Sequence, residues 1–134
     1  MTSPRYAIQN AVFVRLDADM DATTITDDPD QDTIAPFIDI GQSTIEFGTD
    51  KTALDYTAIL TIRVVTEISG GQGTKAVSEL QHLVVQSLTA SPLVIGSGYV
   101  FNWLTVNRLG DVLASEDGQF YVADIELEIY FQKS

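Results

Sequence analysis

The sequence predicts an α+β domain, with an antiparallel or mixed sheet of about four long strands and two helices packed on one face. Three observations predict it. Long segments alternate apolar and polar residues with a period of two, as half-buried strands do. Two other segments carry apolar residues at helical spacing instead. Their order is helix–strand–strand–helix–strand–strand, and short links within each strand pair favour antiparallel neighbours, although helices flanking strands could also give a parallel pair.

The first helix is expected at about Pro4–Asp17. Ser3 and Pro4 suit the cap and the first helical position. Ile8, Ala11, Val12 and Leu16 then form one apolar stripe. The segment Asp19–Ala35 is rich in Asp and broken by Pro29, with weak strand propensity only at Thr23–Ile25. A short apolar run, Pro36–Ile40, precedes Gly41-Gln42-Ser43-Thr44 and a polar loop centred on Gly48–Thr52.

The most regular segment is Leu54–Ile68. Tyr56, Ala58, Leu60, Ile62 and Val64 fall on one face, and Asp55, Thr57, Thr61, Arg63 and Glu67 on the other. This is about three times the usual strand length, so part of it is available for assembly. After the Gly-rich turn Ser69–Gly73, Thr74 is the expected cap of a second helix, roughly Lys75–Leu88. Its stripe is Ala76, Val77, Leu80, Leu83, Val84 and Leu88, opposite Lys75, Glu79, Gln86 and His82. Tyr99–Leu109 is apolar on both faces and is therefore expected at the centre of the sheet. Leu109–Gly118 reads as a connection, and Gln119–Phe131 as the last strand. That strand sets Tyr121, Ala123, Ile125, Leu127, Ile129 and Phe131 against Asp124, Glu126 and Glu128.

At 134 residues the chain is expected to be one domain, able to bury enough surface to fold without disulfides or a metal. It contains no Cys, which excludes thiolate catalysis, cysteine redox chemistry and Cys-based zinc sites. No apolar run approaches the roughly 20 residues a bilayer requires. The start, Met1–Arg5, lacks a basic region followed by an apolar core, so no secretory signal is expected. Nineteen acidic and seven scattered basic residues give a net charge of −12. Such a surface repels nucleic acid and suits a wall past which DNA slides, or simply keeps the protein soluble.

Each candidate for chemistry meets a plainer reading. Asp17, Asp19 and Asp21 have the spacing of the first calcium-loop ligands, but Ala22 stands where the loop needs Gly and Asp28 where it needs Glu. A solvated acidic loop fits better. Asp124, Glu126 and Glu128 stand about 7 Å apart along a strand face. That is conceivable for a carboxylate pair, yet no aromatic sugar platform or raised pKa accompanies them. His82 is the single His and has no nucleophile–acid partners. Gly70–Thr74 is followed by Lys75, the wrong order for a phosphate-binding loop. Tyr99, Phe101 and Trp103 form an aromatic row without basic neighbours, which reads as core rather than as a base-stacking platform. No cofactor, metal or catalytic set is expected. The loop Glu46–Ala53 is the best docking candidate: it carries Phe47 and both charge signs in Asp50 and Lys51, with Asp55 just beyond. The plainer reading is an ordinary hairpin turn.

The order of these elements, with Phe37-Ile38-Asp39-Ile40-Gly41, Thr49-Asp50-Lys51-Thr52 and Leu60-Thr61-Ile62-Arg63-Val64-Val65 at its centre, resembles the tail-terminator (tail-completion) family of long-tailed bacteriophages and phage-like gene transfer agents. The likeness of order spans nearly the whole chain, whereas residue-level likeness is concentrated in Pro36–Leu88. The chain departs mildly in having Val65 or Thr66 where the family carries an aromatic. The resemblance implies a structural virion protein without enzymatic activity. It implies a six-membered homo-oligomeric ring at the neck-proximal end of the tail, assembled in the bacterial cytoplasm. Such a ring caps the tail tube protein, ends tube growth and meets the head–tail connector or stopper, while DNA passes through without specific binding; no membrane is involved. Glu46, Phe47, Asp50, Lys51, Asp55 and Arg63 are the implied inter-subunit or tube contacts, and Asp124, Glu126 and Glu128 the channel or solvent face. A head–tail connector, a tail-tube protein or a small non-catalytic binding module are the alternatives.

Overall fold

The computed structural model describes residues 3–20, 23–26, 34–48, 55–68, 74–96 and 98–134. Helix α1 spans Pro4–Asp19, two residues longer than expected. The Ser3 side chain accepts a hydrogen bond from the Tyr6 N–H at 3.1 Å, and Ala7, Ile8, Ala11, Val12 and Leu16 are buried. Strand β1 is Thr24–Thr26 and β2 is Phe37–Phe47, so β2 runs well past the apolar run that announced it. Strand β3 covers Asp55–Glu67, helix α2 Lys75–Thr89, and β4 Tyr99–Leu109. A two-residue β5, Leu113–Ala114, lies inside the expected connection, and β6 covers Phe120–Lys133.

The sheet order is β1–β2–β3–β6–β4, with β5 beside β6. All pairs are antiparallel except β1 with β2, which is parallel. Among the described residues the mixed sheet therefore has four long strands and two short ones. Both helices cover one face. There Ala58, Leu60, Ile62 and Val64 of β3 and Ala123, Ile125, Leu127 and Ile129 of β6 lose nearly all contact with water against Ile8, Val12, Leu16, Val77, Val84 and Leu88. Burial of apolar area on this one side is the main stabilising term, about 25 cal/mol per Å².

Strand β4 is at the edge of the sheet, not at its centre. Two apolar faces arise differently here. The register shifts between Phe101 and Trp103, leaving Asn102 as an extra residue. Tyr99 and Phe101 face the helices before the bulge, and Leu104 and Val106 face them after it. Trp103 is thereby turned to the opposite face, where it is 57% exposed. A second shift in β4 falls between Val106 and Arg108, and a third bulge interrupts β2 between Ile40 and Ser43. Gly41 passes so close to β3 that a Cβ would lie 2.7 Å from the Thr61 carbonyl oxygen, so glycine is required there.

Polar side chains lock the helices to the frame. Arg15 of α1 donates to the carbonyls of Ser87, Ser91 and Pro92 at 2.7, 3.2 and 2.9 Å, which neutralises the C-terminal end of α2. The Ser87 hydroxyl donates to Asp19 at 2.6 Å. Gln81, buried on α2, donates to the Asp124 carbonyl at 2.8 Å and the Gly110 carbonyl at 3.3 Å. Thr74 precedes α2 as expected but makes no capping bond with its side chain.

Candidate interaction surface

The face of the sheet opposite the helices carries no covering element among the described residues. Its side chains are set by alternation against the buried set. One row across it is Asp39, Arg63 and Asp124, the next Thr61, Glu126 and Arg108, then Thr44, Ile59, Glu128 and Thr105, and then Glu46, Thr57, Tyr130 and Trp103. The Arg63 Nε lies 3.5 Å from Asp124 Oδ1, and the Arg108 Nε 3.9 Å from Glu126 Oε2. Both pairs are well exposed to water and add little to stability. A shallow pocket of about 320 Å³ lies over Asp39, Gly41, Gln42, Thr61 and Arg63, beside the β2 bulge.

Glu128 is held by two donors, the Tyr130 hydroxyl and Asn107 Nδ2, the latter at 3.0 Å. The Tyr130 bond, then the Asn107 bond, pull the Glu128 pKa below its ordinary value. The same bond raises the Tyr130 pKa, because losing the proton would break it beside an anion. The Trp103 ring lies 4.7 Å from that of Tyr130, tilted by 34°. A general acid at a sugar bond needs a raised carboxyl pKa; Glu128 is shifted the other way, and Asp124 and Glu126 are paired with Arg.

The expected docking residues separate into two places. Glu46 and Phe47 end β2, Asp55 begins β3, and Gly48 N–H donates to the Asp55 carbonyl at 2.8 Å, so these three share one end of the hairpin. Phe47 is 73% exposed and meets Tyr56 edge-on at 5.5 Å; Tyr56 in turn stacks on Phe131 at 5.2 Å, and Tyr99 closes the row. Asp50 and Lys51 lie outside the described residues. Arg63 is eight residues from Asp55, roughly 26 Å along the strand, and belongs with Asp124. Asp124, Glu126 and Glu128 do share one face.

Asp17 and Asp19 are inside α1, which is incompatible with the start of a calcium loop; Asp21, Ala22 and Asp28 lie outside the described residues. No cluster of potential metal ligands occurs among the described residues. His82 is exposed on α2. The segment 69–73 lies outside the described residues. The stripe of α2 is narrower than expected. Leu83 is exposed and, with Ala76, lines a groove of about 410 Å³ that runs between α2, Ala35, Pro36 and the end of β3. Among the described residues, no helix is long and apolar enough to cross a membrane.

No family model matches the chain, and no curated protein matches it. The fold is matched among solved structures. A chain of the virion of a native gene transfer agent particle is similar over 98% of this chain and 99% of its own, at a TM-score of 0.78 and 21% identity. The shared fold is that of a virion chain. The likeness runs from end to end of both, so the helices and the sheet belong to the shared fold rather than to an appended part.

Proposed function

We propose that this protein is a structural component of a phage-like virion, without enzymatic activity. It forms a homo-oligomeric ring, six-membered by its resemblance, at the head-proximal end of the tail tube. There it ends tube growth and presents the surface that the head–tail connector joins. The observation that carries this reading is the end-to-end fold likeness to a chain of a gene transfer agent virion. The resemblance of the segment Pro36–Leu88 to tail terminators narrows it to the tail end. Charge agrees: a bare face bearing Asp124, Glu126 and Glu128 repels DNA and lets it pass without sticking. In this reading Glu46, Phe47 and Asp55 contact neighbouring subunits or the tube.

The experiment is negative-stain electron microscopy of particles from a producing strain lacking the gene. Overlong tails unjoined to heads are expected. Tails of normal length left unattached would assign the chain to the head–tail connector instead, and loss of tails altogether to the tube. Complete particles with normal tails would overturn all three and favour a small binding module that uses its sheet edge.

A further inference from the structure

Among the described residues, both outer margins of the sheet are open. Strand β1 pairs only with Phe37–Asp39, so among the described residues the rest of β2, from Ser43 to Phe47, has no strand on its outer side. Strand β4 pairs with β6, and beyond the Gly96–Tyr99 bridge at its start its outer side is likewise unpaired by any strand among the described residues. Exposed apolar side chains collect at these two margins: Phe47 on one, and Val100, Trp103 and Leu109 on the other. Open, apolar-flanked edges invite another strand.

The two margins are complementary in direction, in hydrogen bonding and in side-chain face. Four antiparallel strands, β2–β3–β6–β4, separate them, so β2 and β4 run in opposite senses. A second copy placed beside the first in the same orientation would set its β2 antiparallel to the first copy's β4. The bond from Gly48 N–H to the Asp55 carbonyl fixes the phase of the ladder. Hydrogen-bonded and non-bonded pairs alternate from there, so Thr44 and Glu46 turn their backbone groups toward β3, while Ser43, Ile45 and Phe47 turn theirs outward. Carried across the sheet through Ile59, Glu128 and Thr105, the same alternation leaves Leu104 and Val106 facing outward from β4. These outward-bonding residues are also the ones on the helix-covered side: Ile45, Leu104 and Val106 all pack partly against the core. On the bare side Thr44 and Glu46 would meet Thr105 and Trp103. Donors, acceptors, apolar side chains and polar side chains therefore all agree in this register, and a slip by a single residue breaks every match.

We infer that copies of this chain join head to tail by pairing the Ser43–Phe47 margin of β2 with the Trp103–Val106 stretch of β4 in the next copy, making one continuous sheet. This deepens the proposed ring and rests on self-assembly, but not on any role at the tail. The contact is heterologous, so it generates a closed ring when the rotation closes. Repetition puts every pair of helices on one wall and every acidic bare face on the other.

The test uses the absence of Cys in the chain. Thr44 and Thr105 share a level but are separated within one copy by three strand spacings, about 14 Å, too far for a disulfide, which needs Cα atoms within about 7 Å. The double variant Thr44→Cys with Thr105→Cys can cross-link only between copies. On mild oxidation of the concentrated protein and of assembled particles, we expect a ladder of multimers on non-reducing gels that collapses to monomer with reductant, and only dimer from either single variant. Thr44→Cys with Trp103→Cys or with Arg108→Cys tests a slipped register. A ladder from either of these moves the pairing along the same edges. No ladder from any of the three, with the fold intact by circular dichroism, overturns the inference. Because the readout is a covalent bond, a ladder alongside normal tails in the deletion strain would keep the edge pairing and reject the terminator role.

Discussion

Strands β3 and β6 have two faces made by the same backbone, and the faces differ in every chemical respect. On the helix side stand Ala58, Leu60, Ile62 and Val64 beside Ala123, Ile125, Leu127 and Ile129, all essentially dry. On the other side stand Thr61 and Arg63 beside Asp124, Glu126 and Glu128, and no element covers them among the described residues. Cohesion is concentrated on one face, which leaves the other free to carry charge without destabilising the fold. An antiparallel sheet allows such a division, because one side can stay wet. The bare face is then a place where residue identity reflects what the sheet meets outside itself.

Substitutions graded across this divide sharpen the contrast. Leu127→Ala on the dry face opens a cavity among residues that cannot collapse onto it, and should cost about 2–5 kcal/mol in urea unfolding. Gly41→Ala, at the β2 bulge, forces a Cβ against the Thr61 carbonyl and should cost about 1–3 kcal/mol by the same measurement. Arg15→Ala strips the carbonyls at the end of α2 of their donor and should cost about 1–2 kcal/mol. Arg108→Ala on the bare face should change stability by no more than about 0.5 kcal/mol, since its exposed pair with Glu126 is screened. A loss on the bare face equal to that at Leu127 would break the division of labour.

The smallest effect is a titration. Hydrogen bonds from Tyr130 and Asn107 lower the Glu128 pKa below 4.5, its ordinary value. A depressed carboxyl contributes its stabilisation above the unfolded value and loses it as the pH falls through the folded value. Tyr130→Phe removes the larger cause, so Glu128 should titrate nearer its ordinary range in a carboxyl-detected NMR titration. An unchanged midpoint would mean that the Tyr130 bond does not hold in solution.

Much of this architecture is written in local patterns. The alternation of β3 and β6 is strict because one face is fully dry, and the stripes of α1 and α2 follow from packing on that same face. What escaped depends on partners distant in sequence. The second half of β2, with Gly41, Gln42 and Ser43, has the composition of a loop and becomes strand only because β3 supplies its hydrogen bonds. Gln81 looks like a surface residue until the carbonyls of Gly110 and Asp124 are placed above it. Of the surface, the acidic set Asp124, Glu126 and Glu128 was legible from spacing alone, whereas its pairing with Arg63 and Arg108 depends on which strands lie to either side. The exposure of Trp103 was not, because a bulge leaves no mark in composition.

That bulge has a wider reach than its size suggests. With Asn102 in place, one strand serves the interior on both sides of a phase change, and an indole that simple alternation would send inward stands in water instead. Deleting Asn102 would close the bulge and join Phe101 directly to Trp103, with every position from Trp103 to Val106 still opposite its present partner on β6. The bulge thus absorbs one extra backbone unit locally, and lets a sheet margin gain a residue while the inside and outside of the strand are kept.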